Sequence, residues 1–303
     1  MRVKIQYSGF FFLACTILLL LPVVRVLGEG STNGVSAVPE EVRTRLGLDG
    51  FYTKYVSAGG LPVLSSGKPS DFALLEAAYL IDHMLEGRED IRQAMISNKV
   101  RFVVMASTEF TTAVPEHRTL RPAKYWDKRA RGLGATRQRP AVSCGEENLL
   151  CYAGDPYSTE NILIHEFSHA IHEMGLNSID PTFQDRLKKT YEEAIAQGLW
   201  KKTYAGTHLN EYWAEAVQSW FDTNRENDAA HNHVNTREEL KEYDPEIAKL
   251  VQEVFGDGPW RYKKPADRAE AERAHLKGYD PKRAPKFEWP KELLDQNKKE
   301  KTP

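Results

Sequence analysis

Two histidines four residues apart, with a glutamate directly after the first, form the stretch His165-Glu166-Phe167-Ser168-His169. On a helix, residues four apart lie on one face, so His165 and His169 can turn two imidazoles toward one metal ion. Glu166 then stands beside the place where a water would be activated. This H-E-x-x-H spacing is the pattern of a zinc hydrolase, with two His ligands and Glu166 as general base.

The chemistry requires a helix, and the flanking residues supply one. Leu163, Phe167, Ala170, Ile171 and Met174 recur at helical spacing across Ile162 to Glu173 and give an apolar stripe for a core. Asp155-Pro156 and Ser158-Thr159 offer capping and first-turn residues upstream. Gly175 is expected to end the helix.

Two ligands do not complete a catalytic zinc site, which takes three protein ligands and an open position. His172 lies on the same helical face as His165, but a third ligand from one continuous helix is hard to bring to the ion. In metzincins the third His comes ten residues after the first, where this chain has Gly175. His172 is therefore expected beside the ligands or in the groove. Glu211 and Glu215 are a better source. They are i and i+4 in Leu209 to Phe221, a stretch made apolar by Trp213, Val217 and Trp220. Two like charges on one buried face repel, and a cation would relieve them. One of the pair would bind zinc, and the other would orient a ligating His by hydrogen bond.

The motif from His165 to Ala170, then Tyr204, then Asn210-Glu211-Tyr212-Trp213-Ala214-Glu215-Ala216, resembles the peptidase domain of the anthrax toxin lethal factor family. The likeness spans roughly Tyr157 to Asp222. It implies a gluzincin, with one zinc per chain on His165, His169 and Glu211. It also implies that Glu215 lies behind the ligands and that Tyr204, seven residues before Glu211, is a catalytic tyrosine. The toxin's receptor-binding and substrate-docking regions have no counterpart here, so the resemblance concerns the reaction and not the target.

The other elements must position this site. Residues 1–28 read as a secretory signal peptide: Arg2 and Lys4, an apolar run of 16 residues from Gly9 to Val24, then Val26-Leu27-Gly28. The run is short for a membrane span, so no stable membrane association is expected after cleavage, with an uncleaved anchor as the alternative reading. The mature chain is expected to be secreted, or periplasmic in a cell with two membranes. Cys15 leaves with the signal, and Cys144 and Cys151 remain as an expected disulfide. A flexible Gly/Ser/Asn-rich lead-in is expected over 29–38, one domain over 39–262, and a charged, Pro-punctuated, partly disordered tail over 263–303. With 41% hydrophobic and 28% charged residues the composition is that of a globular protein. A net charge of −2 gives no reason to expect nucleic acid as a partner.

Strands are expected at Phe51–Val56 and Leu61–Ser65, and a central one at Val100–Met105. Helices are expected at Pro39–Leu46, from Ser70-Asp71 to Gly87, over Glu89–Ser97, from Phe183 to near Gly198, and from Pro245 to Phe255. Residues 106–150 are weakly patterned. Arg129, Arg131, Arg137 and Arg139 read there as solvated charge. Either Ala141–Ser143 or Leu149–Tyr152 would serve as an edge strand for an extended substrate. The fold class is α+β, zincin-like, with a small mixed sheet, an active-site helix and a mostly helical C-terminal subdomain. The function expected is that of a monomeric, secreted zinc endopeptidase acting on peptide or protein substrates. The competing readings are a secreted binding module that keeps zinc for stability and a zinc hydrolase of non-peptide amides.

Overall fold

The computed structural model describes residues 34–294. The expected signal peptide and the first half of the lead-in, residues 29–33, lie outside the described residues, as do residues 295–303. In chain order the elements are β1 (Ser36–Ala37), α1 (Glu40–Leu46), β2 (Lys54–Ala58), β3 (Leu61–Ser65), α2 (Asp71–Met84), α3 (Glu89–Ser97) and β4 (Arg101–Met105). These are followed by α4 (Ala123–Arg129), β5 (Gly132–Leu133), β6 (Ala141–Gly145), α5 (Glu146–Leu149), α6 (Ile162–Ala170) and α7 (Asn177–Ile179). The remainder is helical: α8 (Phe183–Ala196), α9 (Leu209–Trp220), α10 (Arg237–Tyr243), α11 (Pro245–Phe255) and α12 (Lys291–Leu294). Among these, no helix is long and apolar enough to cross a membrane.

The strands form one mixed sheet in the order β1-β2-β3-β4-β6-β5. β3, β4 and β6 run parallel at its centre, and the pairs at either end are antiparallel. A strand covered on both faces reads as a continuous apolar run, and β4 (Arg-Phe-Val-Val-Met) is buried along its whole length. Its side chains alternate between two cores: Phe102 and Val104 face the large core with α2 and α6, while Val103 and Met105 face a small one with Tyr52, Leu64 and Val114. The class is therefore α+β with a mixed sheet, and the C-terminal half is mostly helical.

Three sequence expectations change. The edge strand beside α6 is β5, not Ala141–Ser143, which lies inside β6 between β4 and β5, and not Leu149–Tyr152, which is helical turn. Cys144 and Cys151 are not bonded to each other. Cys144 is fully buried in β6, where burial pushes its thiol well above the ordinary range. The helical turn α5 intervenes, fixed by Glu146 accepting from the amides of Ser70 (2.8 Å) and Ser107 (2.9 Å), and Cys151 emerges beyond it at the exposed surface. Gly175 does not end the helix. The chain continues from α6 through a π-helical turn, Ile171–Leu176, into α7. Gly175 is needed there for packing, since a Cβ would come within 2.7 Å of Ile91 Cγ2 on α3.

The C-terminal segment is irregular but packed, which corrects the expected disorder as far as residue 294. Leu276, Phe287 and Leu293 are buried. Glu76, fully buried in α2, accepts from Arg268 Nη1 and pairs with His275 Nε2, each at 2.8 Å. Removing Arg268 would leave a buried carboxylate with half its partners, a change that typically costs about 3–5 kcal/mol. At the other end, the lead-in's Ser36 and Ala37 form β1 against β2 and are not free.

Candidate metal centre

α6 starts at Asn161, whose side chain accepts from the amide of Ile164 (3.0 Å), so the cap is Asn161 and not the earlier Asp155 or Ser158. One face of α6 lies in the large core, with Leu163, Phe167 and Ala170 fully buried. His165 and His169 therefore look out toward α9, the helix against which α6 packs most extensively. α9 is buried from Tyr212 to Trp220 and is tied to α6 by Trp213 Nε1 donating to the carbonyl of Ser168 (2.9 Å). This places Glu211, in the first turn of α9, opposite the two histidines.

The three side chains converge. His165 Nε2 lies 3.0 Å from Glu211 Oε2 and 3.2 Å from His169 Nε2, and His169 Nε2 lies 3.5 Å from Glu211 Oε2. A tetrahedral zinc with arms of about 2.0–2.1 Å spaces its ligand atoms about 3.3 Å apart. The triangle is thus of the size that one zinc ion would fill, leaving the fourth position open.

Hydrogen bonding fixes which lone pairs meet. Gln218 Nε2 faces two acceptors, Glu160 Oε2 and the carbonyl of Asn161, each at 3.3 Å. Its Oε1 therefore faces His165 Nδ1, at 2.7 Å, and accepts the proton there. His165 Nε2 is left as a lone pair pointing at a carboxylate and a second imidazole. Three acceptors closing on one point need a positive charge between them, a metal ion or, without one, a proton on His165 Nε2. The electrostatics show the same demand for positive charge. Burial alone would push the His165 imidazolium down, but the carboxylates of Glu211, Glu166 and Glu215 outweigh it and hold the group up at about 10. Glu211 is held far below the usual carboxylate range, because the two histidines outweigh its burial.

Glu215 stands behind His165, at 3.6 Å from Nδ1, so the orienting bond belongs to Gln218. The sequence reading missed Gln218, although its spacing from Glu211 and Glu215 (i, i+4, i+7) puts all three on one face of α9. If this triangle holds zinc, replacing Gln218 by Leu should weaken the affinity by about 10–100-fold, the usual effect of losing a partner that orients a ligating His. Competition with a metal chelator measures it, and Glu215→Gln should cost less.

His172 is not beside the ligands. Seven residues past His165 is about 10 Å along the helix axis, and there α8 and α9 enclose it. Its Nε2 lies 2.7 Å from Gln184 Oε1, and its ring packs against Phe183 and Trp213. His208 is exposed on the rim, with Nε2 3.7 Å from Glu211 Oε1.

Tyr204 reaches the centre, with its ring 6.3 Å from that of His165 and nearly parallel to it. Burial, with the Glu211 carboxylate adding to it, raises the phenol above its ordinary range, so it keeps its proton. One loop holds both Tyr204 and Glu215. The carbonyl of Ala230 accepts from the amide of Tyr204 (2.6 Å), and His231 sets Nε2 3.4 Å from Glu215 and Nδ1 2.8 Å from Asp228. No motif marks this loop in the sequence.

β5 crosses in front of α6. A Cβ on Gly132 would meet Ile162 Cγ2 at 2.5 Å and Glu166 Cγ at 2.9 Å, and one on Gly134 would meet His169 Cβ at 2.8 Å. The strand edge can lie this close to Glu166 and His169 only because these residues are glycine. Arg131, expected in solvent, is fully buried and paired with Glu147. Arg129, by contrast, is at the site. It lines, with Tyr204, His165 and Glu166, both a groove of about 730 Å³ along Leu133 to Gln138 and a cavity of about 240 Å³ beside it. Burial holds the Glu166 carboxyl above its ordinary range, partly offset by the two histidines.

In sequence comparison no protein-family model matches the chain, and no curated protein matches it either.

Proposed function

We propose that this chain is a zincin-like metallopeptidase that hydrolyses peptide bonds with one zinc held by His165, His169 and Glu211. The observation that carries the proposal is the convergence of these three side-chain atoms at edges of 3.0, 3.2 and 3.5 Å, in a groove that Glu166 also lines. A zinc ion held by these three residues would supply Lewis-acid polarisation of a scissile carbonyl and a water pKa lowered toward 7. The protein residues do the rest. Glu166 takes a proton from the attacking water and delivers it to the departing amine. Tyr204 donates a hydrogen bond to the oxygen that becomes negative in the transition state. The unpaired edge of β5 offers main-chain donors and acceptors to an extended polypeptide lying in the groove. A groove of that size beside a strand edge favours a polypeptide over a small amide as substrate, and a binding module would need neither Glu166 nor Tyr204 at the ligands. The export signal expected at residues 1–28 supports an activity outside the cytoplasm.

A broad peptide library with mass-spectrometric detection tests the activity: internal cleavage sites that vanish on chelation support it, and cleavage of small acyl amides alone would replace it. Tyr204→Phe should lower kcat by about 10²–10³, the effect of losing one oxyanion donor, with KM little changed. Zinc content and melting temperature should stay where they are, because neither a ligand nor core volume is altered. An unchanged kcat would make Tyr204 a packing residue.

A further inference from the structure

The cavity of about 240 Å³ opens off the groove at the metal centre, since Arg129, His165, Glu166 and Tyr204 line both. Those shared residues mark its mouth. Tyr157, Glu160, Ile162, Glu215, Arg225 and His231 line only the cavity of the two and form its interior. A peptide lying along β5 with its scissile carbonyl at the centre brings a neighbouring side chain to this mouth.

The charges inside differ in how well they are paired. Arg131 is bound to Glu147. Glu215 lies between His231 and His165. Arg225 places Nη2 2.6 Å from Asp228 and only reaches to 3.6 Å from Glu160 Oε1. Glu160 has a side chain 8% exposed, and its other oxygen takes a single 3.3 Å bond from Gln218. Glu160, with a largely buried side chain, thus lines an accessible cavity with Oε1 no closer than 3.6 Å to the Arg225 guanidinium, outside hydrogen-bonding distance. A buried carboxylate in that condition is costly, and a cationic donor entering the cavity relieves it. Tyr157 and Ile162 supply apolar wall for an alkyl stem, the arrangement in which a lysine or arginine side chain buries its methylenes and bonds at its tip.

We infer that this cavity selects the substrate residue next to the scissile bond, and that Glu160 selects a basic side chain there. The inference rests on the peptidase reading for its meaning but not for its test. Two measurements on the zinc-loaded full chain separate them. In the first, n-butylguanidine and butyrate are compared as cavity probes by saturation-transfer NMR. The guanidine should bind and the butyrate should not, and Glu160→Gln should abolish the binding. Equal binding of both probes, a preference for butyrate, or guanidine binding that survives Glu160→Gln overturns the proposal. In the second, a peptide cleaved by the chain is varied at the residue on the leaving-group side. Lysine should exceed norleucine in kcat/KM by about 10–100-fold, the effect of one charged hydrogen bond. That ratio should collapse in Glu160→Gln and rise in Arg225→Gln, which removes the guanidinium that lies 3.6 Å from Glu160 Oε1.

Because Glu160 also meets Gln218, zinc content is measured in each variant. If Glu160→Gln loses zinc, Arg225→Gln decides: a ratio that fails to rise ends the proposal. Cleavage with no basic preference overturns the inference and leaves the peptidase standing. Guanidine binding that depends on Glu160, in a chain that cleaves no peptide, supports the cavity and overturns the peptidase.

Discussion

Glu166→Gln is expected to lower peptide hydrolysis by about 10²–10⁴, the range for removing a positioned general base. The amide has the shape of the carboxylate but cannot take a proton from water at neutral pH. Glu166 is not one of the three converging ligands, so zinc should remain at one per chain. The side chain sits beneath Gly132 of β5, and replacing it by an isostere leaves that contact in place. Melting temperature should therefore hold or rise, since a carboxyl kept above its ordinary range by burial gives way to a neutral group. A variant that kept full activity would remove Glu166 from the reaction and leave the residues around it as a metal site without hydrolysis.

Glu211→Ala is the second large effect, and it falls on the metal. Two imidazoles 3.2 Å apart would remain, with one side of the triangle open. A site of two histidines does not hold zinc in the manner of three ligands, so the zinc recovered with purified protein should fall from one per chain to a small fraction. Activity should go with it. Glu211 also supplies the carboxylate closest to His165 Nε2, and without it the imidazole loses the partner that holds its pKa up most strongly. Retention of stoichiometric zinc in Glu211→Ala, with loss in Glu215→Ala, would exchange the roles of the two glutamates.

The site was legible in the sequence where geometry is local. His165 and His169 are four apart on one helix, and Glu211 and Glu215 are four apart on another, so each pair announces a face. The strongly periodic or uniformly apolar elements were legible too: α3 runs over Glu89–Ser97 as read, and β4 begins one residue inside the expected strand. What failed was short or non-local. α4, α5 and α10 are two turns or less, too brief for a period to emerge. β5 has two residues, and nothing in Gly132-Leu133 alone says that an edge strand passes in front of α6. Arg131 looked like surface charge because its partner Glu147 is sixteen residues away and meets it only in the fold. The pairing of Cys144 with Cys151 was inferred from compartment and spacing, and a helical turn between them sends one thiol inward and the other outward. Arg268 and His275 gave no sign of reaching Glu76, nearly two hundred residues earlier. Without that contact a charged, proline-rich segment reads as disorder.

The most direct test is a titration. Apo-protein is prepared by chelation and zinc is added back in fractions of an equivalent, while cleavage of one library-derived peptide is followed. Hydrolysis should rise from zero in proportion to zinc and reach its plateau at one equivalent per chain. Cleavage by the apo-protein, or a chain that takes up no zinc at one equivalent, would contradict the account.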